Sequence, residues 1–127
     1  MDKEKVVYKK LSYEIIGVLF EVYNELGYGY KEGHYEKAIA KCFEEKGIEY
    51  KRQAMYKVKF KGENMGTQYL DFLVNDKIVL ELKKGNYFSR KNIDQVKAYL
   101  KVTGKKLAIL ANYTPKGVKT MRVLNIK

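Results

Sequence analysis

Apolar residues recur along the first third of the chain at steps of three and four. Leu11, Ile15, Val18, Val22 and Leu26 fall on one side of a helix that Gly27 ends. After the glycine-rich turn Gly27-Tyr28-Gly29-Tyr30, a second helix sets Tyr35, Ala38, Ile39, Cys42 and Phe43 inward and stops near Gly47, so Cys42 reads as a small core residue. From Gln53 the period becomes two. Tyr56, Val58 and Phe60 alternate with Lys57, Lys59 and Lys61, the pattern of a half-exposed strand. A turn over 62–66 leads to two short apolar strands, 69–74 and 77–82, joined by Asn75-Asp76, which is tight-hairpin chemistry. A helix over 89–103 turns Ile93, Val96, Tyr99 and Leu100 inward and ends at Gly104. The unbroken apolar run 107–111 fits a strand buried on both faces, and 118–126 returns to alternation. The order α-α-β-β-β-α-β-β, a meander followed by a helical crossover, predicts an α/β fold with a mixed central β-sheet flanked by helices.

Composition narrows the class. At 127 residues, 46% hydrophobic, with one proline and no repeat, the chain predicts a single domain over residues 1–127. No apolar run approaches the roughly 20 residues of a membrane span. The N-terminus is mixed-charge and lacks a small-residue cleavage site, so a cytoplasmic protein is expected. One Cys42 and one His34 exclude a disulfide framework and a four-ligand zinc cluster, so any metal must be held mainly by oxygen. The net charge is +11, and it is unevenly placed: residues 1–50 carry −2 and residues 51–127 carry +13. A field of that sign concentrates polyanions, and nucleic acid becomes the expected partner.

Five acids stand in the basic segment. Glu63 and Asp76 fall in turns and Asp94 on a helix, but Asp71 and Glu81 interrupt apolar strands, where an unpaired carboxylate is costly. Glu81 and Lys83 share a strand face. A strict two-residue loop at Asn75-Asp76 sends Asp71 and Glu81 to opposite faces. A three-residue loop, or a bulge, sets them across from one another. Two facing carboxylates raise each other's pKa unless a cation lies between them, which is how a Mg²⁺ or Mn²⁺ site is built.

Asp71, nine intervening residues, then Glu81-Leu82-Lys83 resembles the D…(D/E)xK signature of the PD-(D/E)XK nuclease superfamily, with Leu70 where the name has proline. Gly29-Tyr30-Lys31-Glu32-Gly33-His34-Tyr35 fits the motif that names the GxxExxY protein family. Glu36-Lys37-Ala38, Arg52-Gln53, Asp71-Phe72-Leu73-Val74, Gln95 with Tyr99-Leu100, and Leu110-Ala111-Asn112-Tyr113 follow in order. The resemblance spans residues 11–113; Phe60 and Asn92 depart from it. It implies a restriction-endonuclease-like core and a Mg²⁺- or Mn²⁺-dependent deoxyribonuclease, endo or exo, acting on DNA that is structured or damaged. It further implies that Asp71, Glu81 and the Leu82 carbonyl hold the metal and that Lys83 activates water. The first core helix of such nucleases adds a carboxylate, and Glu32, Glu36 or both, one helical turn apart, would reach the metal through water, with Glu32 the first choice. Gln95 and Tyr99 resemble a QxxxY element beside it. His34, at a variable position, is a bystander.

Two other readings stay open. One is a catalytically inactive nucleic-acid-binding module of the same fold. The other is an interaction protein whose first helix packs on a partner, a homodimer included, through Ile16, Leu19 and Tyr23. The 12 tyrosines, many beside lysines as in Tyr50-Lys51 and Tyr56-Lys57, are read mostly as core or rim residues, though rings of this kind also stack on unpaired bases.

Overall fold

The structure, a computed structural model, describes residues 7–85 and 88–125. Its elements are α1 (Lys9–Leu26), α2 (Glu32–Lys46), β1 (Tyr50–Phe60), β2 (Glu63–Val74), β3 (Ile78–Lys84), α3 (Arg90–Thr103), β4 (Leu107–Thr114) and β5 (Gly117–Leu124). The expected order is met. Five strands form one sheet in the order β1-β2-β3-β4-β5, antiparallel except for the parallel pair β3/β4 that α3 connects. The sheet and its flanking helices form the expected α/β architecture, a mixed central sheet covered by helices. Among the described residues no helix is long and apolar enough to cross a membrane.

Helices cover both faces. α1 and α2 bury Ile15, Leu19, Tyr35, Ile39 and Phe43 against Phe72, Leu80, Ile109 and Tyr113. On the other face α3 packs Val96, Tyr99 and Leu100 onto Leu70, Val79 and Leu110. β4 lies between these layers, and all eight of its residues are buried, as the unbroken apolar run predicted. Ser89 caps α3 by accepting the Asn92 N–H at 3.1 Å, and Gly104, at φ 74°, ends it.

Several sequence expectations shift. β1 begins at Tyr50 rather than Gln53, and the 62–66 turn shortens to Lys61-Gly62 with a register slip between Val58 and Lys59. Phe60, expected inward, is 60% exposed, because the hairpin tip runs past the helical layers. Cys42 is half-buried at the edge of the core, facing Glu21 at 3.7 Å. Leu19 is fully buried, and Tyr23 donates to the Thr114 carbonyl at 2.7 Å and stacks on Tyr113. Of the expected partner face of α1, Leu19 is thus closed off, while Ile16 and Tyr23 are each half-buried. β5 stops at Leu124; position 126 lies outside the described residues.

One irregularity positions the site. Tyr50 and Arg52 of β1 face the α1/α2 layer, whereas Ala54 and Tyr56 face α3. β2 does the same, with Phe72 and Val74 on the first face and Leu70 on the second. A side-chain period of two forbids this unless the backbone turns over between them. It does so at Gln53, whose φ is 55°, and Asp71 lies at the matching point of β2, between the pairs Arg52↔Phe72 and Ala54↔Leu70.

Candidate active site

The β2–β3 turn decides whether Asp71 and Glu81 meet. Asn75 and Asp76 both adopt positive φ, 52° and 56°, and Lys77 N–H closes the turn on the Val74 carbonyl at 3.0 Å. Yet Val74 pairs with Ile78, not Lys77, so Lys77 is an extra residue and the three-residue register holds. The backbone pairs of β2 and β3 run from Val74↔Ile78 to Phe72↔Leu80. Beyond them the strands are bridged by side chains. The Asp71 N–H donates to Glu81 Oε1 at 2.9 Å, and the Leu82 N–H donates to Asp71 Oδ2 at 2.7 Å. The two carboxylates thus interlock in the gap between strands, Glu81 being only 3% exposed.

This placement dictates their protonation. Burial, then the charge of Glu81, lifts the Asp71 carboxyl from 3.8 to about 7, against the pull of the Leu82 N–H and of Lys83. Glu81 is also raised, by burial first, although the Asp71 N–H and Lys83 favour its charged form. Lys83 Nζ stands 3.8 Å from Glu81 Oε2.

α2 brings the remaining carboxylates. Glu32 opens the helix and accepts the Lys84 N–H of β3 at 3.1 Å, and its charge bears on both Glu81 and Glu36. Glu36, 8% exposed, takes a 3.1 Å ion pair from Arg52 and is raised by burial and by Asp71. Arg52 in turn lies over the Phe72 ring at 5.9 Å. It was not singled out from the sequence for any role. Its signal was an arginine in a strand otherwise lysine-rich, at a place where a planar fork can both stack and pair.

Gln95 lies at the margin of this group, donating from Nε2 to the Tyr69 carbonyl, two residues before Asp71, at 3.3 Å. Tyr99 is not brought to it. Its ring packs edge-on against Tyr56 in the α3 core, and the charges that bear on its hydroxyl are Lys105 and Asp76 at the β2–β3 turn. His34 is exposed beside Tyr30, away from the acids. Among the described residues no three His, Cys, Asp or Glu side chains converge to form a metal cage by themselves. The donor set is nevertheless suited to a hard divalent cation. Two carboxylates raised by burial, Asp71 further by the charge of Glu81, lose that penalty when a positive ion shares them.

A family model of the PD-(D/E)XK nuclease superfamily matches residues 9–123, and the chain belongs to that superfamily. Solved structures share its fold. One is SSO0001, with 14% sequence identity and a TM-score of 0.55 over 98% of this chain. Another is the alkaline exonuclease LHK-Exo from Laribacter hongkongensis, with 14% identity and a TM-score of 0.53 over 99%. The chain spans 63% of the length of SSO0001 and 73% of that of the exonuclease. No curated protein matches the chain.

Proposed function

We propose that this protein is a metal-dependent nuclease that hydrolyses phosphodiester bonds in DNA, with Mg²⁺ or Mn²⁺ as its cofactor. The observation that carries the reading is the Asp71–Glu81 pair, interlocked between β2 and β3 with Lys83 Nζ at 3.8 Å. Asp71, Glu81 and the Leu82 carbonyl would hold the metal, which supplies a Lewis acid for the phosphoryl oxygen and lowers the pKa of bound water. Lys83 orients that water and offsets charge developing on the phosphate. Glu36, paired with Arg52, lies close enough to Asp71 for their charges to interact, and Glu32 ties α2 to the end of β3, so both hold α2 against the site. Gln95 fixes the β2 backbone just before Asp71. The +13 charge of residues 51–127 draws the polyanion in. Membership of the nuclease superfamily supports the reaction class, and the motif Gly29-Tyr30-Lys31-Glu32-Gly33-His34-Tyr35 supports a place among GxxExxY proteins.

A second reading, an inactive nucleic-acid-binding module, is favoured by one observation: Asp71 and Glu81 already satisfy backbone amides of one another's strands. Titration calorimetry of Mg²⁺ and Mn²⁺ into wild type and Asp71→Ala, with cleavage of labelled linear, flapped and four-way DNA, separates the two. Metal binding and cutting lost together in Asp71→Ala support the nuclease. Salt-sensitive DNA binding without metal uptake or cutting supports the module.

A further inference from the structure

We infer that the 27–30 loop is a stacking platform for a single-stranded segment of the DNA substrate, Tyr28 and Tyr30 taking bases and Lys84 the adjoining phosphate. This rests on the nuclease reading and assigns the part of the substrate that enters the site. Among the described residues most of the tyrosines are absorbed by the core or hydrogen-bonded to it; Tyr13 and Tyr69 are exposed singly on a helix and a strand, whereas Tyr28 and Tyr30, 41% and 46% exposed, share one short loop. The loop is built to hold them there. Tyr35, fully buried, donates its hydroxyl to the Gly27 carbonyl at 2.7 Å and accepts the Tyr30 N–H at 3.3 Å, spanning the loop from below. Tyr35 is itself wedged against Tyr113, ring centroids 4.4 Å apart, and Tyr113 is anchored to the Leu19 carbonyl at 2.9 Å. Rings supported in this way lose little freedom when a base settles on them, which is the condition under which stacking contributes most.

The loop also adjoins the acids. Lys84 Nζ lies 5.2 Å from the centre of the Tyr28 ring, while the N–H of the same residue is held by Glu32. Lys84 follows Glu81 by three residues, about 10 Å along a strand. A base on Tyr28 therefore sits within a short stretch of backbone of the phosphate to be cut. Lys31, exposed one residue past Tyr30, adds a second cation to this segment of the chain. A duplex hides its base faces, so aromatic rings beside lysines distinguish unpaired strands from paired ones, whereas lysines alone do not.

The test is fluorescence anisotropy of a labelled thymidine oligonucleotide and a blunt duplex of equal length, with calcium in place of magnesium, followed by cleavage of duplexes with and without a single-stranded tail. Tyr28→Ala is expected to weaken single-strand binding roughly 5- to 100-fold and to erase the preference over duplex, while Tyr28→Phe retains both. Lys84→Gln is expected to reduce the salt slope for the single strand by roughly 0.7. Equal losses on single strand and duplex, or Tyr28→Ala binding like wild type, overturn the platform. A wild type that cuts DNA but prefers neither form overturns it while leaving the nuclease intact; one that neither binds nor cuts removes both.

Discussion

Asp71→Asn removes one charge and almost no volume, and its effect on stability has a sign set by the site. In the metal-free protein Asp71 binds its proton more tightly folded than unfolded, at about 7 against 3.8. A raised carboxyl contributes fully below its unfolded value, and the contribution is lost as pH climbs through the folded one. Stability of the metal-free wild type is therefore expected to fall between about pH 4 and pH 7. At 1.36 kcal/mol per unit the shift corresponds to about 4 kcal/mol, a ceiling because neighbouring groups relax. Asparagine keeps an oxygen for the Leu82 N–H and carries no charge to desolvate. With an unfolding entropy of about 2.1 cal/mol/K per residue, a chain of this length gains at most about 15 °C in Tm at pH 8 on substitution, and almost nothing at pH 4. Thermal unfolding followed by circular dichroism in EDTA at both pH values measures this. Adding Mn²⁺ at pH 8 is expected to raise the wild-type Tm and leave Asp71→Asn unmoved, since binding stabilises only a protein that has the site. An asparagine variant no more stabilised at pH 8 than at pH 4 would refute the claim that Asp71 is held against its charge.

Other substitutions test other contacts. Arg52→Ala strands the buried Glu36 carboxyl and is expected to cost about 1–3 kcal/mol in urea unfolding at pH 7, with the deficit shrinking at acid pH as Glu36 takes a proton. Lys83→Ala is expected to leave the fold intact and reduce DNA cleavage roughly 10²- to 10⁴-fold, with the pH for half-maximal metal binding moved upward because Lys83 favours ionised Glu81; calorimetry across pH reads the second effect. Tyr113→Phe, losing the buried bond to the Leu19 carbonyl, is expected to cost about 1–2 kcal/mol by the same unfolding assay.

Much of the fold was legible because it is written in local pattern. The three-and-four spacing of Ile15, Val18 and Val22, the apolar run 107–111 and the glycines at 27, 47 and 104 are short-range signals, and each element they predicted is present. Boundaries moved where tertiary contact overrode pattern: β1 extends back to Tyr50 because that ring packs on Phe43 and Phe72, and Phe60 lies outside because no layer covers the hairpin tip.

The candidate site divides along the same line. The residue types, an Asp and a Glu in apolar strands with Lys83 two positions on, follow from the sequence alone, because a carboxylate is costly in an apolar strand wherever that strand pairs. Whether they meet depended on Lys77 being an extra residue in the turn and on both strands turning over at Gln53 and Asp71, a matter of register between segments that local pattern does not encode. Arg52 reaches Glu36, Lys84 reaches Glu32 and Tyr28, and Tyr99 stays apart beside Tyr56 for the same reason. Contacts between residues distant in the chain are decided by how layers stack, and only the folded structure contains that information.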